Sequence, residues 1–193
     1  MAAGTKYNLT PEYKPEETGV RKSGPWKLDI TNLSVGSVLP VFTPVQANLK
    51  KRTIVPVRNV KVVEAYANGT TDLAIKIAKG SLAYSGMFIG SGKKGAEVVS
   101  IDKTNKAYDV LTIKAVFGEK IEKDAVLFEA TSVEGTAKKN TATFVLFDAK
   151  KVEDDGPVLC TLLMQAYEVK ESKLPMPIHE LDKEGLTSRF QFE

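Results

Sequence analysis

The motif in this chain that looks most like chemistry is Gly90-Ser91-Gly92-Lys93-Lys94-Gly95, a literal match to the G-x-G-x-x-G loop of dinucleotide-binding folds. That loop works only when a helix opens behind its last glycine, because the helix N-terminus holds the pyrophosphate. Here Ala96-Glu97-Val98-Val99-Ser100-Ile101 follows, which alternates like a strand. The expectation is a lysine-tipped turn between strands, with no nucleotide bound. The one cysteine, Cys160, lies in the apolar run 158–164, and the one histidine, His179, lies in a Pro-rich segment near the C-terminus. A nucleophilic thiol needs a base beside it, so Cys160 reads as a buried structural thiol, and a single cysteine allows no intrachain disulfide. Asp102, Asp109, Glu119, Glu122 and Asp124 all fall near turns. Solvated carboxylates usually sit there, and no two of these stand out as an acid–base pair. Lys50-Lys51-Arg52 is the sole basic triplet and has no aromatic neighbour in sequence. Direct nucleic-acid binding, which combines clustered basic residues with stacking aromatics, is therefore not expected. Neither is a cofactor, a metal or an enzyme activity.

The elements that would position these residues are mostly strands. Residues 73–130 alternate apolar and polar through Ala74-Ile75-Lys76-Ile77, Val110 to Val116 and Val126-Leu127-Phe128-Glu129. This is the period of strands with one buried face. Breaks at Lys79-Gly80, Gly90-Ser91-Gly92, Lys103-Thr104-Asn105-Lys106 and Gly118-Glu119 are turn chemistry. Five short strands so spaced predict a small antiparallel β-barrel or sandwich. Upstream, Trp26-Lys27-Leu28-Asp29-Ile30 reads as a strand, and residues 52–66 read as one long or two short β-branched strands. Downstream, a strand is expected at 142–147, and residues 158–169 read as a central strand buried on both faces. A short helix is expected at 179–184, after Pro177, and Phe190 and Phe192 suggest a C-terminus tied down against the domain or a neighbour.

This reading divides the chain into an extended arm (1–25), a β-rich domain (26–174) and a C-terminal tail (175–193). The arm holds Pro11, Pro15, Pro25, Gly4, Gly19 and Gly24, a composition that builds no core by itself. It also holds Tyr7, Leu9 and Tyr13, followed by Arg21, Lys22 and Trp26, residue types that anchor interfaces. Charge is uneven along the chain. Residues 1–60 carry nine Lys/Arg against four Asp/Glu, whereas residues 131–193 carry eight against eleven. No apolar run is long enough for a transmembrane helix, and residues 1–6 lack the apolar core of a signal peptide. The expectation is synthesis in a cytosol, with exit only inside a larger assembly.

Four stretches resemble a known family: residues 79–90, a Gly-paired hairpin; residues 107–113 (AYDVLTI); residues 121–130 (IEKDAVLFEA); and residues 165–175 (QAYEVKESKLP). The chain resembles, from about residue 40 onward, the head-fibre and capsid-decoration proteins of tailed phages, particularly those of gut Bacteroidetes. The resemblance implies a β-rich structural protein on the capsid exterior, a major capsid protein as partner, and assembly as a homotrimer. It brings no catalytic residues. Tyr7, Leu9, Tyr13, Arg21, Lys22 and Trp26 are then the expected capsid-binding residues. The alternative expectation is a β-module that binds surface glycans or a host surface.

Overall fold

Alternation of apolar and polar residues builds fourteen strands among the described residues, and their pairings close into two rings. The computed structural model describes residues 14–69 and 71–193. The strands are β1 (Val20–Leu28), β2 (Val38–Leu39), β3 (Pro44–Asn48), β4 (Thr53–Pro56), β5 (Asn59–Lys61), β6 (Ala74–Ile77), β7 (Phe88–Gly90), β8 (Gly95–Asp102), β9 (Asp109–Ile113), β10 (Val126–Glu129), β11 (Phe144–Leu146), β12 (Lys150–Lys151), β13 (Leu159–Val169) and β14 (Phe190–Phe192). One α-helix, α1 (Glu180–Leu186), follows Pro177. The protein is mainly β, with a barrel-like architecture and a short C-terminal helix.

The first ring runs β1–β4–β3–β11–β13 and returns to β1. The β1–β4 pair is parallel; the other pairs in the ring are antiparallel. Its core holds Trp26, Leu28, Ile54, Leu146, Cys160 and Leu162. The second ring runs β5–β10–β7–β8–β9–β6. It closes through an antiparallel bridge between Val62 and Ile77, with Ala78 N–H donating to the Lys61 carbonyl at 2.8 Å. Ile75, Ile77, Ile89, Val98, Leu111, Ile113 and Leu127 fill it. The second ring is inserted into the first: the chain leaves after β4, completes the whole of the second ring, and re-enters at β11.

β13 shows how one strand serves two cores. Successive side chains of a strand point to opposite faces. Leu162 enters the first core, while Leu163 enters a third cluster with Phe42, Val145, Ala166, Val169, Ile178, Leu186 and Phe190. That third cluster lies under the C-terminal segment, where β14 pairs in parallel with β13.

The N-terminal region differs from its sequence reading. Residues 20–25, expected within the arm, belong to β1, and Val20, Arg21 and Lys22 pair with β13. Ser23-Gly24-Pro25, which reads as arm composition, is a bulge: the register jumps between Lys22 and Trp26, and Gly24 takes φ +81°. Tyr7, Leu9 and Tyr13 lie outside the described residues.

The glycine motif has a packing role. Residues 91–94 turn between β7 and β8, so a strand does follow the loop. The backbone of Gly135 lies against both Gly90 and Gly95, and a Cβ on any of the three would collide with backbone. Gly92 N–H also donates to the Gly135 carbonyl at 3.0 Å. The segment returning from the second ring is thereby fastened to the β7–β8 hairpin.

Candidate functional site

Most of the polar residues marked by sequence are used locally. The Lys79 ammonium pairs with buried Asp109 at 2.5 Å and also donates to the carbonyls of Lys103 and Asn105, holding the β8–β9 turn. Asp102 accepts from Thr104 N–H at 2.9 Å, Asp124 pairs with Lys61, Glu122 pairs with Lys120, and Glu119 accepts from Ser91. Burial pushes the Cys160 thiol up to about 11. At the β3–β4 turn the Arg52 guanidinium lies 5.7 Å from the Trp26 ring, an aromatic neighbour in space that sequence adjacency did not show. An open groove of about 730 Å³ beside β1 and β4 is lined by Lys27, Asp29, Lys51, Thr53, Asp154 and Val158, a mixed-charge wall with no convergent set of groups.

Of the expected capsid-binding residues within the described range, Arg21 and Lys22 sit on β1, with their cations over the rings of Phe147 (3.8 Å) and Phe144 (5.5 Å). Trp26 is 2% exposed and stacks on Phe144 at 6.4 Å. It presents no surface to a partner; what it anchors is β1 in its own barrel.

The densest polar chemistry lies where the chain passes between the rings, and the sequence reading singled out only His179 from it. Val57 and Arg58 carry the chain out of the first ring, and residues 131–143 carry it back. Arg58 and Glu129 form a buried ion pair at 3.3 Å. Arg58 also donates to the Thr31 carbonyl at 2.6 Å, and Glu129 accepts from Tyr84 Oη at 2.7 Å and Lys139 Nζ at 2.8 Å. Burial alone would raise the Glu129 carboxyl. The Lys139 and Tyr84 hydrogen bonds and the Arg58 charge outweigh it and hold the group below its ordinary value.

Beside this pair lies a second group. Lys138 Nζ donates to Asn59 Oδ1 at 2.6 Å and to Asp182 Oδ2 at 2.7 Å. Asn59 Nδ2 donates to the same Asp182 oxygen at 2.8 Å and to the Pro177 carbonyl at 2.9 Å. Asp182 also accepts from the backbone N–H of Ala142 and of His179. The Lys138 side chain is 3% exposed and that of Asp182 fully enclosed. The position of Asp182 is set by α1: it closes the first turn together with His179, whose Nδ1 accepts from Leu181 N–H at 3.1 Å. No periodicity marks Lys138 or Asp182 as interior, since each follows residues that read as surface.

Burial, reinforced by the Lys138 charge, lowers the His179 pKa from its ordinary 6.5; Asp182, Glu180 and Glu184 pull the other way. The neutral ring suits its role as an acceptor. A group whose folded pKa is depressed binds more protons when unfolded, so its contribution is complete above the unfolded value and is lost as pH falls toward the folded one. His179 acts below about 6.5 and Glu129 below about 4.5. The midpoint of urea unfolding should therefore fall from about pH 7.5 to about pH 5.5, and fall less in His179→Asn, which keeps a capping acceptor but does not titrate. Equal falls in the two proteins would remove His179 from the account.

Two rings of strands, one inserted in the other, with buried ion pairs at the crossovers, define a mainly β protein of barrel-like architecture. The chain matches the model of the Head fiber protein family over residues 3–190, and it belongs to that family of phage proteins. It is accordingly a structural, virion-associated protein. Neither a search of curated proteins nor one of solved structures found a match.

Proposed function

We propose that this protein sits on the outer face of a phage capsid, where it decorates and stabilises the shell or anchors a fibre to it. The family match across residues 3–190 carries this reading. The partner is the major capsid protein, and the copies associate as trimers. A ligand that binds only the assembled lattice stabilises it by mass action, and several copies acting together add avidity. The segment before β1, with Tyr7, Leu9 and Tyr13, is the strap, extended by Arg21 and Lys22 on β1, while Trp26 holds that strand to its barrel. Tyr167 is the single exposed aromatic among the described residues, which favours this reading over a carbohydrate platform built from stacked rings.

The test compares the full chain with one lacking residues 1–13 on capsids stripped of decoration. The shortened chain keeps β1 whole and is expected to fold, because no described core residue is removed. Its affinity for capsids should drop by at least about tenfold, the equivalent of about 1.4 kcal/mol. Equal binding by the two chains would assign attachment to the barrels. Failure of the full chain to bind any capsid would overturn the capsid reading itself.

A further inference from the structure

The geometry points to an intramolecular isopeptide bond between Lys138 Nζ and Asn59 Cγ, formed with Asp182 as the proton carrier. Such a bond belongs to the chain's own covalent structure and is independent of how the protein attaches to a capsid.

Three observations carry it. The first is distance. Lys138 Nζ lies 2.6 Å from Asn59 Oδ1. A C=O bond is about 1.23 Å, so the amide carbon lies within about 3.8 Å of the amine, close to the 3–3.5 Å of a near-attack arrangement. The second is orientation. The amide of Asn59 is held by its own network: Nδ2 faces two acceptors, the Pro177 carbonyl and Asp182 Oδ2, while Oδ1 faces the amine. The single oxygen Asp182 Oδ2 touches both the attacking nitrogen (2.7 Å) and the leaving nitrogen (2.8 Å), the place a proton carrier must occupy. The third is exclusion of water. Asn59 and Asp182 are fully buried, and the Lys138 side chain runs beneath the Phe128 ring, whose centroid lies 5.5 Å from Nζ. His179 meets that same ring in a T-shaped arrangement, with centroids 5.0 Å apart.

The electrostatics of the site agree. Burial lowers the Lys138 pKa from its ordinary 10.5 against the opposing pull of Asp182, which makes the neutral, nucleophilic amine more accessible. Two other buried carboxylates meet a lysine, Asp109 with Lys79 and Glu129 with Lys139, but both of those lysines reach solvent, at 38% and 48% exposure. Among the described residues no side-chain amide accepts from either of them.

The chemistry balances without an oxidant or a co-reactant. The Lys138 ammonium passes a proton to Asp182. The free amine attacks Asn59 Cγ, forming a new C–N bond. Asp182 gives that first proton to the amide nitrogen as the old C–N bond breaks, takes a second from the attacking nitrogen, and passes it to the departing ammonia, which returns Asp182 to its carboxylate. The products are a secondary amide and one ammonium ion. The new N–H remains within reach of Asp182 Oδ2, and the buried lysine charge is gone.

The position of the bond gives it a purpose. Asn59 begins β5, where the chain enters the second ring, and Lys138 lies on the way back. Their union would tie the two crossovers together at the base of the inserted barrel. The second ring would then be a covalently closed loop that cannot be pulled out of the first by unzipping from either crossover.

The test is the mass of the natively folded full chain. It should be lighter than its sequence by one ammonia, and a tryptic digest should yield a branched peptide joining residues 59–61 to residues 124–139, with no cleavage after Lys138. Asn59→Asp keeps the electrophile but should lose water instead, giving the same branched connectivity. Lys138→Arg should show its full sequence mass and migrate as an unlinked chain in denaturing gels. A wild-type chain of full mass would overturn the proposal whatever the variants do. So would an ammonia loss mapped elsewhere, or a water loss joining Lys138 to Asp182.

Discussion

Glu129→Ala should destabilise the protein by about 3–5 kcal/mol, read as a lower midpoint of urea unfolding with an unchanged slope. The reason lies in what remains after the change. Arg58 is 4% exposed and keeps its charge, since a guanidinium does not deprotonate in proteins. Its Thr31 carbonyl contact survives, but its counter-ion is gone, and the Tyr84 hydroxyl and Lys139 ammonium lose their acceptor in the same stroke. Burying an unpaired charge costs far more than the pair itself contributes. A double variant separates the two effects. Arg58→Met with Glu129→Leu removes both charges and fills the volume, and it should recover most of the loss. If Glu129→Ala alone costs less than about 1 kcal/mol, the pair is a surface-grade salt bridge and the crossover is not locked by it.

Such buried pairs are weak evidence for stability in general, because desolvation offsets the attraction. Their value here is geometric. Arg58 stands at the exit from the first ring and Glu129 ends β10, the last strand of the second. The pair, with Lys138–Asp182 beside it, fixes how the inserted barrel sits on its host.

How much of this was legible depended on the range of the signal. The five strands of residues 73–130 follow from period-two alternation and from Gly80, Gly92 and Gly118, each of which takes positive φ at its turn. The helix after Pro177 and the buried Cys160 were also legible, because both are fixed by local sequence. The insertion of one ring in the other was not. Residues 52–66 read as one long or two short β-branched strands, and nothing in them marks Val57 and Arg58 as the point where the chain changes barrels. The same limit hid the crossover chemistry. Lys138 and Lys139 are adjacent and identical in type, yet one side chain is enclosed and the other is half in solvent. Asn59 sits inside an apolar stretch, and an amide in such a run is the one signal that a polar partner must lie opposite. The Ser23-Gly24-Pro25 bulge shows the converse: residues that usually break structure were serving it.

The second large effect is expected at Phe190. It lies three residues from Glu193, in a strand of three residues, where the usual expectation is fraying and tolerance to change. Yet Phe190 is 4% exposed and meets Phe42 edge-to-face at 6.2 Å, within the cluster that also contains Val57, Val145, Leu163, Ala166 and Leu186. β14 is held by its parallel pairing with β13 and by Glu193 N–H donating to the Val169 carbonyl at 2.8 Å. Phe190→Ala should therefore cost about 3–5 kcal/mol, the range for truncating a buried phenylalanine in a core that cannot collapse around the gap. Collapse is resisted because Phe42 is itself fixed at φ +65°, on the loop between β2 and β3. Phe192→Ala, on the same strand but only partly buried, provides the internal comparison and should cost clearly less. Backbone amide exchange in β14 should accelerate in Phe190→Ala and change little in Phe192→Ala. Equal and small costs for both would mean that the third cluster closes without its terminal strand. Unequal costs, with Phe190 far the greater, would make the last turn of the chain part of the fold that holds α1, and with it Asp182, against the crossover.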